Sequence, residues 1–275
     1  MDPLILNLAA LAALVPSALL LTRRVPDPKQ PGSEKDVRDL VFWAVLAAAM
    51  AGAVLWTWVL FRSGWQTNIA ASLWITITLS LVLFAVISAA SGVFARLLVV
   101  FGPYTVVLGA IATFWAQAPG RAAPATAAGA WLNLHIGISV ATYALMTLAA
   151  MAALAVYLQE RALKARRPTR LTSILPSVYE GETLQLRLLT ASVAVLGLGL
   201  LSGMVIEFLD RGVILVFNHK VLLSILSFAV IAGMLIVHRA SGLAGRRAAR
   251  YLLLAYLLLT LGYPGVKLVT DVILR

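Results

Sequence analysis

Two histidines are the residues of this chain best placed to do chemistry. His135 lies in Trp131-Leu132-Asn133-Leu134-His135, and His219 in Val216-Phe217-Asn218-His219-Lys220. Each falls one or two turns inside the end of a long apolar stretch, and an ionisable side chain inside a membrane helix points to function. At 1.5 Å per residue, His135 sits about 6 Å past the start of its stretch and His219 about 9 Å past the start of its own. Both stretches run in the same direction, so the two imidazoles fall at nearly the same depth. Imidazoles so placed match the axial ligands of a haem iron. Ser139 and Tyr143 follow His135 at i+4 and i+8, near one helix face. A hydroxyl there can fix the tautomer of a ligating imidazole. Read singly, each histidine is as well an interfacial residue that binds nothing; the matched depth is what favours a pair. His238 lies about 28 Å further along the helix of His219, too far to share a haem with it.

The elements that must carry these residues are membrane helices. The chain has 275 residues, of which 61% are hydrophobic and 12% charged, about half the charge of an ordinary soluble domain. Eight apolar stretches, 4–21, 40–61, 69–90, 97–116, 131–159, 188–208, 213–237 and 251–274, are each long enough to cross a ~30 Å hydrocarbon core. The expected fold is therefore all-α: a polytopic membrane protein of eight transmembrane helices forming one integral membrane domain over 1–275. The fifth stretch is long enough to protrude as a charged helical extension.

Charge sets the expected orientation. Segments 22–38, 91–96, 160–187 and 239–250 hold sixteen of the 22 lysines and arginines. The positive-inside rule makes them cytoplasmic and puts both termini on the outer, periplasmic side. The first stretch lacks a basic N-terminal region, so it reads as an uncleaved helix. The net charge of +11 thus marks topology and contact with anionic lipid, and argues against a nucleic-acid partner. Localisation follows as a multi-pass protein of a bacterial inner membrane. The segment 117–130, rich in Ala, Pro and Gly, reads as a connector, and 160–187 is expected to include a short interfacial piece.

Other chemistries find no support in the residues. The chain has no cysteine, which excludes thiolate metal sites, disulfides and thioether attachment of haem. No zinc-protease, phosphate-loop or Ser/His/Asp signature occurs, and no enzymatic activity is expected. The glycines of 197–203 read as close helix packing. Six of the seven tryptophans (Trp56, Trp58, Trp65, Trp74, Trp115 and Trp131) fall toward the outer face and Trp43 toward the cytoplasm. They read as an aromatic belt or as a surface for a flat ring, with Trp115 and Trp131 nearest a porphyrin. Propionates would need cations; Lys220 and Arg211 are the first candidates, with Arg62, Arg121 and Lys267 behind them.

Two stretches also resemble a known family. Leu134-His135-Ile136 with Ser139 and Tyr143, ending in Tyr157-Leu158 and a basic tail, is similar to the histidine helix of cytochrome c assembly proteins of the CcsA type. The run His219-Lys220-Val221-Leu222-Leu223-Ser224-Ile225-Leu226, followed by His238-Arg239, Gly245-Arg246-Arg247-Ala248 and Tyr263, resembles the short YpjD-like inner membrane branch. The resemblance covers roughly 130–275; spans one to four, at 4–116, agree in number and character. It implies a haem-handling protein binding haem b, with His135 and His219 at the family's transmembrane ligand positions. It also implies partners among cytochrome c maturation proteins, or another membrane complex. Longer members carry a tryptophan-rich outer segment that presents haem; here the connection before the seventh span is Leu209-Asp210-Arg211-Gly212. A second reading is a non-catalytic scaffold or accessory subunit of a transporter or envelope complex, with a vestigial haem site.

Overall fold

A computed structural model describes residues 3–20, 37–62, 68–116, 129–167, 169–214, 216, 218–242 and 245–261. Among them the chain is entirely helical: α1 (Pro3–Leu20), α2 (Leu40–Phe61), α3 (Ile69–Ala90), α4 (Gly92–Ala95), α5 (Leu98–Phe114), α6 (Gly129–Ala165), α7 (Arg170–Ile174), α8 (Val178–Arg211), α9 (His219–Ser241) and α10 (Gly245–Thr260). Six of these, α1, α2, α3, α6, α8 and α9, are long and apolar enough to cross a membrane; α5 is apolar but has 17 residues. Every expected span thus contains a helix, and the chain is a polytopic helical membrane protein. The connector 117–128 and the stretch 262–275 lie outside the described residues.

Helix ends follow from short polar side chains. Asp39 Oδ1 accepts from the Phe42 amide at 2.9 Å, Asn68 Oδ1 from Ala71 at 2.7 Å, and Asn218 Oδ1 from Val221 at 2.9 Å. Each satisfies an amide that has no partner within its helix. Ser177 and Glu180 form a reciprocal capping box at the start of α8. At the other ends, Gly212 (φ +68°) and Gly242 (φ +65°) close α8 and α9 in the left-handed conformation that glycine adopts without steric cost. Arg38 Nη1 donates to the carbonyls of Ser88 and Ala89 at 3.2 and 3.0 Å, placing a cation on the C-terminus of α3.

These caps correct two expected boundaries. The sixth stretch, expected at 188–208, is part of α8, which begins ten residues earlier because the capping box starts a helix before the apolar run does. The seventh, expected from Val213, begins at His219, because Gly212 ends α8 and Asn218 caps α9. His219 therefore opens its helix instead of sitting two turns inside it. The segment 160–187 holds the charged helical extension of the fifth stretch, now the tail of α6, and a short separate piece, α7, both as expected, and then the start of α8. Gln159 staples this region, its Nε2 donating toward the carbonyls of Thr172, Leu175 and Pro176 at 2.8, 3.1 and 3.1 Å.

Contacts sort the helices into two groups. α1 packs on α2 and α5, with α3 against α2 and α5; α6 packs on α8 and α10, with α9 against α8 and α10; α3 touches α6 and joins the groups. Within the first, Trp56 and Trp74 are buried in the core. Neither belongs to an interfacial belt, the role expected for them, because α1, α2, α3 and α5 close over the faces that carry them. Trp58 is exposed, with the Arg62 guanidinium 4.9 Å from its ring centroid. Close approach of α1 and α5 depends on Gly102: a Cβ there would stand 2.6 Å from the Ser17 carbonyl oxygen and 2.8 Å from Ala18 Cα. These are backbone atoms and cannot swing aside, as expected where small residues let membrane helices touch.

Gly102→Ala is accordingly expected to lower the thermal midpoint of the detergent-solubilised protein. A methyl added at Gly137 of α6 would meet only open space, so Gly137→Ala is expected not to lower the midpoint, the helix preference of alanine adding about 0.5–1 kcal/mol of stability.

Candidate functional site

His135 reaches inward because α8 offers it a shelf of small residues. Its Nδ1 lies 2.8 Å from Ser202 Oγ, and a Cβ on Gly203 would come within 3.3 Å of its Cε1. One turn on, Gly199 takes Ile138, whose Cγ2 would stand 3.4 Å from a Cβ there. The pairs 135–202, 138–199 and, far along, Val156 against Gly181 show α6 and α8 running antiparallel in continuous contact. The glycines of 197–203 pack helices closely, as their spacing suggests.

Beside the half-buried His135 is a cavity of about 420 Å³. α6 contributes Leu132, His135, Ser139 and Tyr143, while α8 contributes the segment from Leu196 to Glu207. Asn218, Val221 and Ser224 close it from the first turns of α9. The starts of α6 and α9 therefore border one space, the parallel arrangement expected for them. The wall is mainly aliphatic with a few convergent polar groups, and the volume lies within the ~300–1,000 Å³ of ordinary ligand sites.

The sequence-predicted residues divide in two. Ser139 lines the cavity with its Oγ 3.5 Å from His135 Nε2, and Tyr143 lines it one turn deeper. Arg211, exposed, makes an ion pair at 3.5 Å with Glu207, which lines the cavity. That pair takes up the cation expected to meet a propionate. Trp115 packs against the core of the first helix group and edge-on to Phe114, and Trp131 is exposed. Neither is among the cavity residues. The backbone of His219 is the first residue of α9; its side chain and that of Lys220, with Arg121 and Lys267, lie outside the described residues.

Sequence reasoning missed Ser202 as a partner of His135 and a cluster of hydroxyls behind the cavity, while the outer-side pairing of Glu207 with Arg211 is one it expected. Tyr143 Oη pairs with Thr260 Oγ1 at 2.9 Å, Tyr256 Oη with Thr147 Oγ1 at 3.0 Å, and Tyr104 Oη with Tyr256 Oη. Counting hydrogens orients the set, since each hydroxyl has one to give. Thr147 donates to the Tyr143 carbonyl and Thr260 to the Tyr256 carbonyl, both at 2.8 Å. Tyr256 must then donate to Thr147, Tyr143 to Thr260, and Tyr104 to Tyr256. The result is a reciprocal clasp between antiparallel α6 and α10, in which each tyrosine reaches the other's carbonyl through a threonine. Its signal in the sequence is Tyr-x-x-x-Thr at 143–147 and 256–260, a pattern that also occurs at 179–183 outside the clasp.

A helical membrane protein with a histidine-lined cavity between its closing helices is the class that fold and site define. A family model for cytochrome c assembly proteins matches residues 40–274, and the chain belongs to that family. It is also 46% identical over 271 residues, 98% of each chain, to a curated protein of Azospirillum brasilense described as an uncharacterized 28.8 kDa protein in nifR3-like 5'region. No solved structure matches it.

Tyr256→Phe removes the hydroxyl that serves both Tyr104 and Thr147. Interhelical hydrogen bonds in membranes contribute about 0.6–1.7 kcal/mol each, so the variant is expected to lose about 1–3 kcal/mol in denaturant unfolding from mixed micelles. Thr147→Val combined with it should cost less than the sum of the two single changes, which a double-mutant cycle reads.

Proposed function

We propose that this chain is a haem-handling membrane protein of the cytochrome c assembly type, with haem b held between α6 and α9. His135 and His219 would hold its iron in this reading. The observation that carries it is the cavity: His135 borders it from α6, and the first turns of α9, the helix that His219 opens, border it as well. The donor chemistry fits, since a neutral imidazole on a mainly aliphatic wall suits haem iron. Haem, when bound, supplies an iron whose potential depends on its axial ligands and burial. The chain's own residues exclude water with the aliphatic wall and seat the His135 ring on Ser202 and Gly203. Lys220 and Arg211 meet the propionates, Arg211 by exchanging its loose pairing with Glu207.

In this reading eight helices span a bacterial inner membrane with both termini outside, so the cavity opens toward the periplasmic side. Cytochrome c maturation proteins are the expected partners. The second reading, an accessory subunit of another membrane complex with a vestigial haem site, draws support from the absence of any tryptophan among the cavity residues.

A reduced-minus-oxidised absorbance spectrum of the purified protein separates the two. The expected result is a low-spin b-type spectrum that His135→Ala and His219→Ala each abolish. A wild type still colourless after haem is added would leave the accessory reading. Orientation is tested with single cysteines, for which the cysteine-free chain is a clean background. An impermeant maleimide is expected to label Asp210→Cys in intact spheroplasts, and Ser173→Cys only after lysis; the opposite pattern would invert the topology.

A further inference from the structure

The hydroxyl that touches His135 has a second partner, and that partner decides where the imidazole proton sits. Ser202 Oγ lies 2.9 Å from the Gly199 carbonyl oxygen and 2.8 Å from His135 Nδ1. A carbonyl only accepts, and a serine hydroxyl has one hydrogen. If that hydrogen pointed at His135, two oxygen lone pairs would face each other across 2.9 Å. Pointed at Gly199, it leaves Ser202 as an acceptor, and Nδ1 must then be the donor. A neutral imidazole has a single N–H, so Nε2 keeps its lone pair. Ser139 stands on the Nε2 side at 3.5 Å, beyond ordinary hydrogen-bond range, and does not compete for the proton. Ser202 is buried and sits on the helix that presses Gly203 against the ring, so the imidazole has little room to flip.

We propose that Ser202 is the positioning residue of His135: it fixes the Nδ1–H tautomer and leaves the lone pair of Nε2 free, before any ligand arrives. That Nε2 then meets iron rests on the haem reading above; the tautomer does not.

The test is ¹⁵N NMR of histidine-labelled, haem-free protein in lipid bilayers, with His135 assigned by comparison with His135→Ala. His135 is expected to show a protonated Nδ1 and a pyridine-like Nε2. Ser202→Ala should lose or reverse that preference, and Ser202→Thr, which keeps a hydroxyl able to bond a carbonyl one turn back, should restore it. A protonated Nε2 in the wild type, or an unchanged tautomer in Ser202→Ala, would overturn the proposal. Haem titration of the same samples separates it from the cofactor reading. Where haem binds, Ser202→Ala is expected to weaken it about 10-fold, the usual effect of losing the partner that orients a ligating histidine, and Ser202→Thr to bind as the wild type does. A wild type with the Nδ1–H tautomer that takes no haem supports Ser202's role and removes the haem reading. A protein that binds haem through His135 while Ser202→Ala keeps both tautomer and affinity removes Ser202's role alone.

Discussion

Lipid tails are as apolar as leucine, so helices inside a bilayer gain little by hiding apolar surface from one another. What holds them is contact that lipid cannot supply: close backbone approach and hydrogen bonds between helices. This molecule uses each in a different place. Its first helix group is drawn together at glycines, with Gly102 of α5 against Ser17 and Ala18 of α1, and Gly52 of α2 against Ala13. α6 and α10 are tied by hydroxyls, with Tyr143 and Tyr256 each completing the other's threonine bridge. The cavity lies where both devices meet, since Tyr143 belongs to the clasp and also to the cavity wall.

Much of the architecture is readable from composition, because a span leaves a long, unbroken apolar signature. All eight stretches contain helices. Their ends are less legible: hydropathy marks where lipid would begin, not where a helix does. Ser177 starts α8 well before Leu188, and Asn218 starts α9 only at His219. The latter changes the depth of a candidate ligand reckoned from Val213. Caps are written in single polar residues, and the apolar count gives them no weight.

His135 is legible as a site residue since an imidazole inside an apolar helix stands out. Ser202 is not, because serines are common in membrane helices and its meaning depends on a helix 67 positions away in sequence. Trp115 and Trp131 are absent from the cavity lining: Trp131 shares the helix face of His135 one turn earlier but is exposed, and Trp115 follows the last residue of α5. The tyrosine clasp has a visible trace in the repeated Tyr-x-x-x-Thr, but the pattern occurs on three helices, α6, α8 and α10, and the pair that forms the clasp is singled out only once α6 and α10 are known to be antiparallel neighbours.

The 37 residues of α6 and 34 of α8 extend over roughly 50–55 Å each at 1.5 Å per residue, against a hydrocarbon layer of ~30 Å. The two form one antiparallel hairpin, touching at Val156 and Gly181 near its closed end and at His135 and Ser202 near its open end. Gln159 locks the closed end to the α7 connector, and Glu160 presses against Gly245 where α10 begins. The hairpin is therefore a pair of levers with its site at one tip and a charged handle at the other. A protein that grips the handle holds the same two rods whose far ends, in contact through His135 and Ser202, are adjoining walls of the cavity.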